Sequence, residues 1–90
     1  MNYKVFAIKD KALDSYSAPF TQATIEAGLR MWRDLVLFGQ DDNRYKRSPE
    51  DFTLYMLGEF NDETGELIEA VNVRIASATE VLSEINKEGN

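Results

Sequence analysis

Apolar and polar residues alternate from the third position onward. Tyr3, Val5 and Ala7 fall on one side of residues 3–9 and Lys4, Phe6 and Ile8 on the other, which predicts a strand. Apolar residues on both sides mark it as a central strand or one covered on both faces. Residues 10–17 are polar and turn-rich. Ala18-Pro19-Phe20 is expected to be extended, because the residue before a proline is displaced from the α region. The period then changes to that of a helix over residues 21–38, with Thr21 or Thr24 as its N-cap, Glu26 near the positive end of the dipole and Gly39 at C′. Its apolar residues Ile25, Ala27, Leu29, Met31, Trp32, Leu35, Val36 and Phe38 spread over roughly 200° of the helical wheel, wider than the stripe of about 100° that packs against one sheet. Gln22, Glu26, Arg30 and Arg33 share the polar sector. The surplus apolar width needs a cover, from either the C-terminal segment or a second subunit.

Residues 39–47 are charged and predict a loop. Ser48-Pro49-Glu50-Asp51 has the form of a helix start, with a cap, proline at N1 and acids in the first turn; the alternation that resumes at once limits it to one turn. A strand is predicted over residues 52–60, with Phe52, Leu54, Met56 and Phe60 facing one way. Asn61-Asp62-Glu63-Thr64-Gly65 reads as a hairpin connection, where Gly65 supplies a positive φ. The return strand covers residues 66–74. Ala78, Val81, Leu82 and Ile85 recur at i, i+3, i+4 and i+7, the period of a short amphipathic helix. The expected architecture is α+β, in the order β-α-β-β-α. It has a small, mainly antiparallel three-stranded sheet, one long helix and a short C-terminal helix. Residues 1–86 form the single domain and residues 87–90 are expected to fray. Gly58, inside a strand, signals a bulge or a close backbone approach.

Composition narrows the chemistry. Ninety residues build one modest core, so a partner subunit would add useful stability. Cysteine and histidine are both absent, which excludes disulfides, Ser-His-Asp and Cys-His catalysis and the usual zinc sites. The acids fall mainly on a predicted loop and hairpin, where solvent keeps carboxyl groups ordinary; a non-enzymatic protein without cofactor or metal is expected. Asp62-Glu63-Thr64-Gly65-Glu66 lacks the ligand spacing of an EF-hand loop and reads as a solvated turn. No apolar run approaches the roughly 18 residues of a membrane helix, and the N-terminus is unlike a signal peptide.

The formal net charge of −6 argues against generic nucleic-acid binding, but the charge is polarised. Residues 49–70 hold seven acids and no base, whereas residues 30–47 hold five bases against three acids. Arg44-Tyr45-Lys46-Arg47 is the basic cluster with an interleaved aromatic, a combination that suits stacked bases and phosphates of a single strand. Arg30 and Arg33 extend it if the fold brings them near. The alternative is a solvated loop. Ile25, Leu29, Trp32 and Val36 form the strongest apolar stripe, explained by core packing with a homodimer seam or partner groove for its surplus width.

Ser48-Pro49-Glu50-Asp51-Phe52-Thr53-Leu54-Tyr55, then Leu57-Gly58-Glu59-Phe60-Asn61-Asp62 and Thr64-Gly65-Glu66, resembles the signature block of the small nonstructural protein of gokushovirus-type microviruses, which are single-stranded DNA phages. Serine stands at 48 where the family usually has histidine, and asparagine at 61 where it has aspartate. Tyr16-Ser17-Ala18-Pro19-Phe20 and Gly28-Leu29-Arg30 match further family elements, so the resemblance covers roughly residues 3–66. It implies a non-virion accessory factor in the host bacterial cytoplasm, acting on DNA or on the replication complex. It carries no binding residues with it; Pro49, Glu50, Asp51, Gly58, Glu59, Phe60 and Gly65 are expected to be structural.

Two readings follow. One is a phage accessory protein that modulates viral DNA replication, or the switch to single-strand synthesis and packaging, by binding a viral or host protein with weak single-stranded DNA contact. The other is a homodimeric protein-interaction module with no nucleic-acid contact.

Overall fold

The structure, a computed structural model, describes residues 1–39 and 43–88, with side chains as far as Glu84. The chain runs β1 (Asn2–Asp10), β2 (Ser15–Tyr16), β3 (Phe20–Gln22), α1 (Ile25–Phe38), α2 (Arg44–Arg47), a 3-10 turn (Pro49–Asp51), β4 (Phe52–Asn61), β5 (Leu67–Ser77) and α3 (Ala78–Glu88). The sheet has five antiparallel strands in the order β2-β1-β4-β5, with β3 also on β1. The three long strands are those expected. The difference lies at the edge, where β2 pairs with Lys9 and Asp10 and β3 with Lys4 to Phe6. Two short segments therefore cover one side of β1, with residues 17–19 between them.

Helix α1 begins later than expected. Thr24 is the cap, its hydroxyl accepting from the Ala27 amide, while Thr21 lies in β3 and so does Gln22. Gly39 is not left-handed (φ −59°); a Cβ there would come 2.6 Å from the Leu35 carbonyl oxygen. The predicted loop over 39–47 contains the one-turn helix α2, and residues 40–42 lie outside the described residues. Strand β5 continues three residues beyond the predicted end, to Ser77. Helix α3 extends to Glu88, through the start of the expected frayed end; residues 89 and 90 lie outside the described residues.

All three helices contribute to one core on one face of the sheet. Phe6, Ile8, Phe52 and Leu54 meet Trp32 and Val36 of α1 and Ala78 and Val81 of α3, with Tyr45 of α2 packed against them. The wide apolar face of α1 is divided. Trp32 and Val36 are fully buried, Leu29 and Leu35 pack partly against the core, and Ile25 and Phe38 stay exposed. The C-terminal segment supplies part of the cover, and Arg33 of α1 pairs with Glu84 of α3 at 2.8 Å.

The face of β4 changes along its length. Val5 pairs with Gly58 and Phe6 with Met56, so Leu57 is an extra residue, a bulge. Direct ladder partners share a face. Phe52, Leu54 and Met56 therefore face the helices, but Phe60, partner of Tyr3, faces the other way. The expectation that all four share a face fails because one inserted residue reverses the alternation beyond it.

Candidate functional site

The basic cluster is held by Asn43. Its side-chain oxygen accepts from the amides of Tyr45 and Lys46, capping α2, while its Nδ2 donates to the carbonyls of Leu35 and Val36 near the end of α1. One side chain thus joins two helices. Within the turn, Tyr45 points inward: its ring stands edge to face with Trp32 at 5.1 Å and with Phe52 at 4.9 Å. It is half-buried and packs against the core, so its ring is engaged mainly by Trp32 and Phe52. Arg44, Lys46 and Arg47 point outward and are exposed. Arg44 borders a cleft with Asp10, Leu13, Ser15 and Tyr16. Arg30 and Arg33 line a different, open groove on α1, shared with Glu26 and Asp34. The fold does not gather the six residues into one aromatic-basic patch.

Among the proposed partner-contact residues, Trp32 and Val36 are sealed inside the chain's own core, and Trp32 Nε1 donates to the Ala76 carbonyl at 3.1 Å. Leu29 is half-buried and Ile25 remains 37% exposed. The apolar stripe is mainly the internal face of α1.

The motif block spans the 3-10 turn, β4 and the hairpin that follows it. Pro49 opens the 3-10 turn, although Ser48 makes no side-chain cap bond. The Asp51 carbonyl accepts from the Lys11 amide at 2.7 Å, tying the turn to the loop after β1. Glu50 is exposed. Gly58 sits beside the bulge; a Cβ there would come 2.2 Å from the Ile68 carbonyl oxygen, so a close backbone approach requires glycine. Glu59 forms an ion pair with Lys4. Gly65 has φ 76° in the hairpin, where the Asn61 side chain accepts from the amides of Glu63 and Thr64.

Two surfaces escaped the sequence reading. Helix α1 has 14 residues and spans about 21 Å, whereas the 11 residues of β5 span about 36 Å. The sheet therefore outruns its helix, and β5 is an edge strand with Leu67, Ile68, Val71 and Val73 exposed, Val71 at 92%. A pocket of about 440 Å³ beside it is lined by Val5, Pro19, Leu57, Gly58, Leu67 and Ile68, with Glu69 as its charged member. The second surface is the helix-free side of the sheet, which carries Tyr3, Tyr55 and Phe60 along the long strands and Tyr16 at the edge. The alternation of Tyr3, Val5 and Ala7 was a signal for it in the sequence.

Glu80 carries the main electrostatic perturbation. A hydrogen bond from Arg74 holds its carboxyl below the usual range, and bonds from the Ser77 amide and hydroxyl add to the effect. The hydrogen bond to Glu80 and the charge on that carboxylate in turn raise Arg74. Ser77 and Glu80 also form a reciprocal capping box at the start of α3, since the Glu80 amide donates to Ser77 Oγ. Among the described residues no helix is long and apolar enough to cross a membrane.

A family model described as Phage ORF5 protein matches residues 3–81. The match passes beyond the motif block, through β5 and into the first turn of α3. No curated protein and no solved structure matches the chain. The matched span takes in the turn, bulged strand and glycine-closed hairpin that carried the resemblance: the chain belongs to the phage ORF5 protein family.

Proposed function

We propose that this phage protein is a non-virion accessory factor that modulates viral DNA replication, or the switch to single-strand synthesis and packaging, by binding a protein partner in the host cytoplasm. The replication setting comes from the resemblance to the microvirus nonstructural protein. The binding surface comes from one observation: Leu67, Ile68, Val71 and Val73 are exposed along an edge strand that extends past the helical layer. Exposed apolar side chains gathered along one edge suit an interaction site, and an edge strand adds unpaired backbone groups that a partner can engage. The adjoining pocket offers a seat for an apolar side chain.

The test is an infection with phage carrying Leu67→Asp and Val71→Asp in this protein, with circular dichroism showing that the variant folds. The ratio of duplex replicative DNA to single-stranded progeny DNA is expected to shift as it does when the protein is missing. An unchanged ratio beside a clear shift in the null phage rejects the hairpin edge as the working surface. An unchanged ratio in both rejects the replication role.

A further inference from the structure

An antiparallel sheet covered by helices on one side normally turns a polar face to water on the other. Here that face is aromatic. The ladders set Tyr3 beside Phe60, Ala7 beside Tyr55 and Lys9 beside Tyr16, all opposite the side of Phe6, Ile8 and Leu54 on which the helices pack. Three of the chain's four tyrosines stand there, the fourth being Tyr45, half-buried against the core.

At one end of this face the rings of Tyr16 and Tyr55 meet edge to face at 5.9 Å. Tyr16 is 43% exposed, its hydroxyl accepts from Asn72 Nδ2 at 3.3 Å, and Lys9 Nζ lies 5.6 Å from its ring centroid. Arg74 is the ladder partner of Tyr55 on β5. Two aromatic rings are thus framed by two cations, at the end of the sheet opposite the acidic hairpin of Asp62, Glu63 and Glu66. The acids that face these cations, Asp14 at 3.7 Å from Lys9 and Glu80 bonded to Arg74, are themselves solvent-exposed. Such surface pairs exchange readily for a phosphate.

We propose that the helix-free face binds single-stranded nucleic acid, with bases stacked on Tyr16 and Tyr55 and the flanking phosphates met by Lys9 and Arg74. Stacking on aromatic rings tolerates any base, and this face presents the exposed Tyr16 ring beside the half-buried Tyr55 ring. Bases inside a duplex are already stacked and cannot reach the rings, so the face discriminates for single strands. The net charge of −6 opposes any polyanion, which makes the contact weak and confined to low or moderate salt. With two phosphates neutralised, the logarithm of affinity falls with the logarithm of salt at a slope of about −1.4. The site is separate from the hairpin edge and does not depend on a protein partner there.

The experiment is fluorescence anisotropy of the whole chain with a labelled oligothymidylate at low salt, paired with NMR amide-shift mapping. Binding is expected, at least about tenfold tighter than to a duplex of equal length, with shifts concentrated on Lys9, Tyr16, Tyr55 and Arg74. Tyr16→Ala, on an exposed two-residue edge strand, is expected to weaken binding about fivefold or more while leaving the circular dichroism spectrum unchanged; Tyr16→Phe keeps the affinity. Arg44→Ala/Lys46→Ala also keeps it. The proposal is overturned by no anisotropy change at low salt, by undiminished binding in Tyr16→Ala, by duplex bound as well as single strand, or by shifts that map to α2 or to the hairpin edge.

Discussion

Gly28 lies so close to the ring of Phe6 that a methyl group at position 28 would come within 2.3 Å of the Phe6 Cζ. Phe6 is fully buried and stacks on Phe20 at 6.0 Å, so the ring has nowhere to go. Alanine in place of glycine normally gains about 1 kcal/mol in a helix interior. Here Gly28→Ala is expected to destabilise by about 1–2 kcal/mol net, since overpacking costs about 1–3 kcal/mol. Urea denaturation measures it, and Phe6→Leu in the same chain should recover part of the loss, a non-additivity that marks direct contact.

Gly58 and Gly65 are both motif glycines, yet they serve different needs. At 58 the obstacle is the backbone oxygen of Ile68 at 2.2 Å, which cannot yield without breaking the β4–β5 ladder. At 65 nothing lies within 4 Å and only the positive φ matters. Gly65→Ala is expected to cost about 1–2 kcal/mol through left-handed strain alone, and Gly58→Ala clearly more. Equal midpoint shifts in the two variants would contradict the assignment of Gly58 to a backbone contact.

The depressed Glu80 carboxyl makes stability depend on pH in one direction. A carboxyl bonded in the folded state contributes above its unfolded pKa, near about 4.3, and loses that contribution as the pH falls through its lower folded value. Wild type should therefore lose stability relative to Glu80→Gln on acidification from about pH 6 to below pH 4. The side chain is 48% exposed, so solvent limits the difference to less than about 1 kcal/mol. Melting temperatures of the two proteins across that range provide the check.

Tyr45 and its basic neighbours should separate cleanly. Tyr45→Ala removes a ring wedged between Trp32 and Phe52 and is expected to cost about 2–4 kcal/mol. Arg44→Ala and Lys46→Ala, on the outer side of the same turn, should stay within about 0.5 kcal/mol of wild type. Chemical denaturation of the three variants distinguishes a packed anchor from a solvated aromatic.

The long elements were legible because each carries enough residues to show its period: the alternation in β1, the stripe of α1, the glycine-closed hairpin and the i, i+3, i+4 pattern of α3. The short ones were not. Strands β2 and β3 have two and three residues, fewer than one period can reveal, and they exist only because β1 offers them an edge. Leu57 defeated the facing of Phe60, since counting by twos assumes that no residue is inserted; Gly58 next to it was the clue. Tyr45 sits in a basic run and looked external, but its place is decided by Trp32 and Phe52, both distant in sequence. The capping box of Ser77 and Glu80 was there to be found in the Ser-x-x-Glu spacing. Of the binding candidates, Trp32 and Val36 are taken up by the core and Tyr45 packs against it, while Arg44, Lys46 and Arg47 stay on the surface; the tyrosine face appears only when the sheet is assembled.

The indole of Trp32 donates to the Ala76 carbonyl, two residues before α3 begins. Since it is the chain's one tryptophan, the molecule carries a built-in optical reporter at the junction of α1, β5 and the C-terminal helix. Its emission in the folded protein should be blue-shifted. Any event that lifts the end of β5 from the helices will register as a red shift before the rest of the sheet opens.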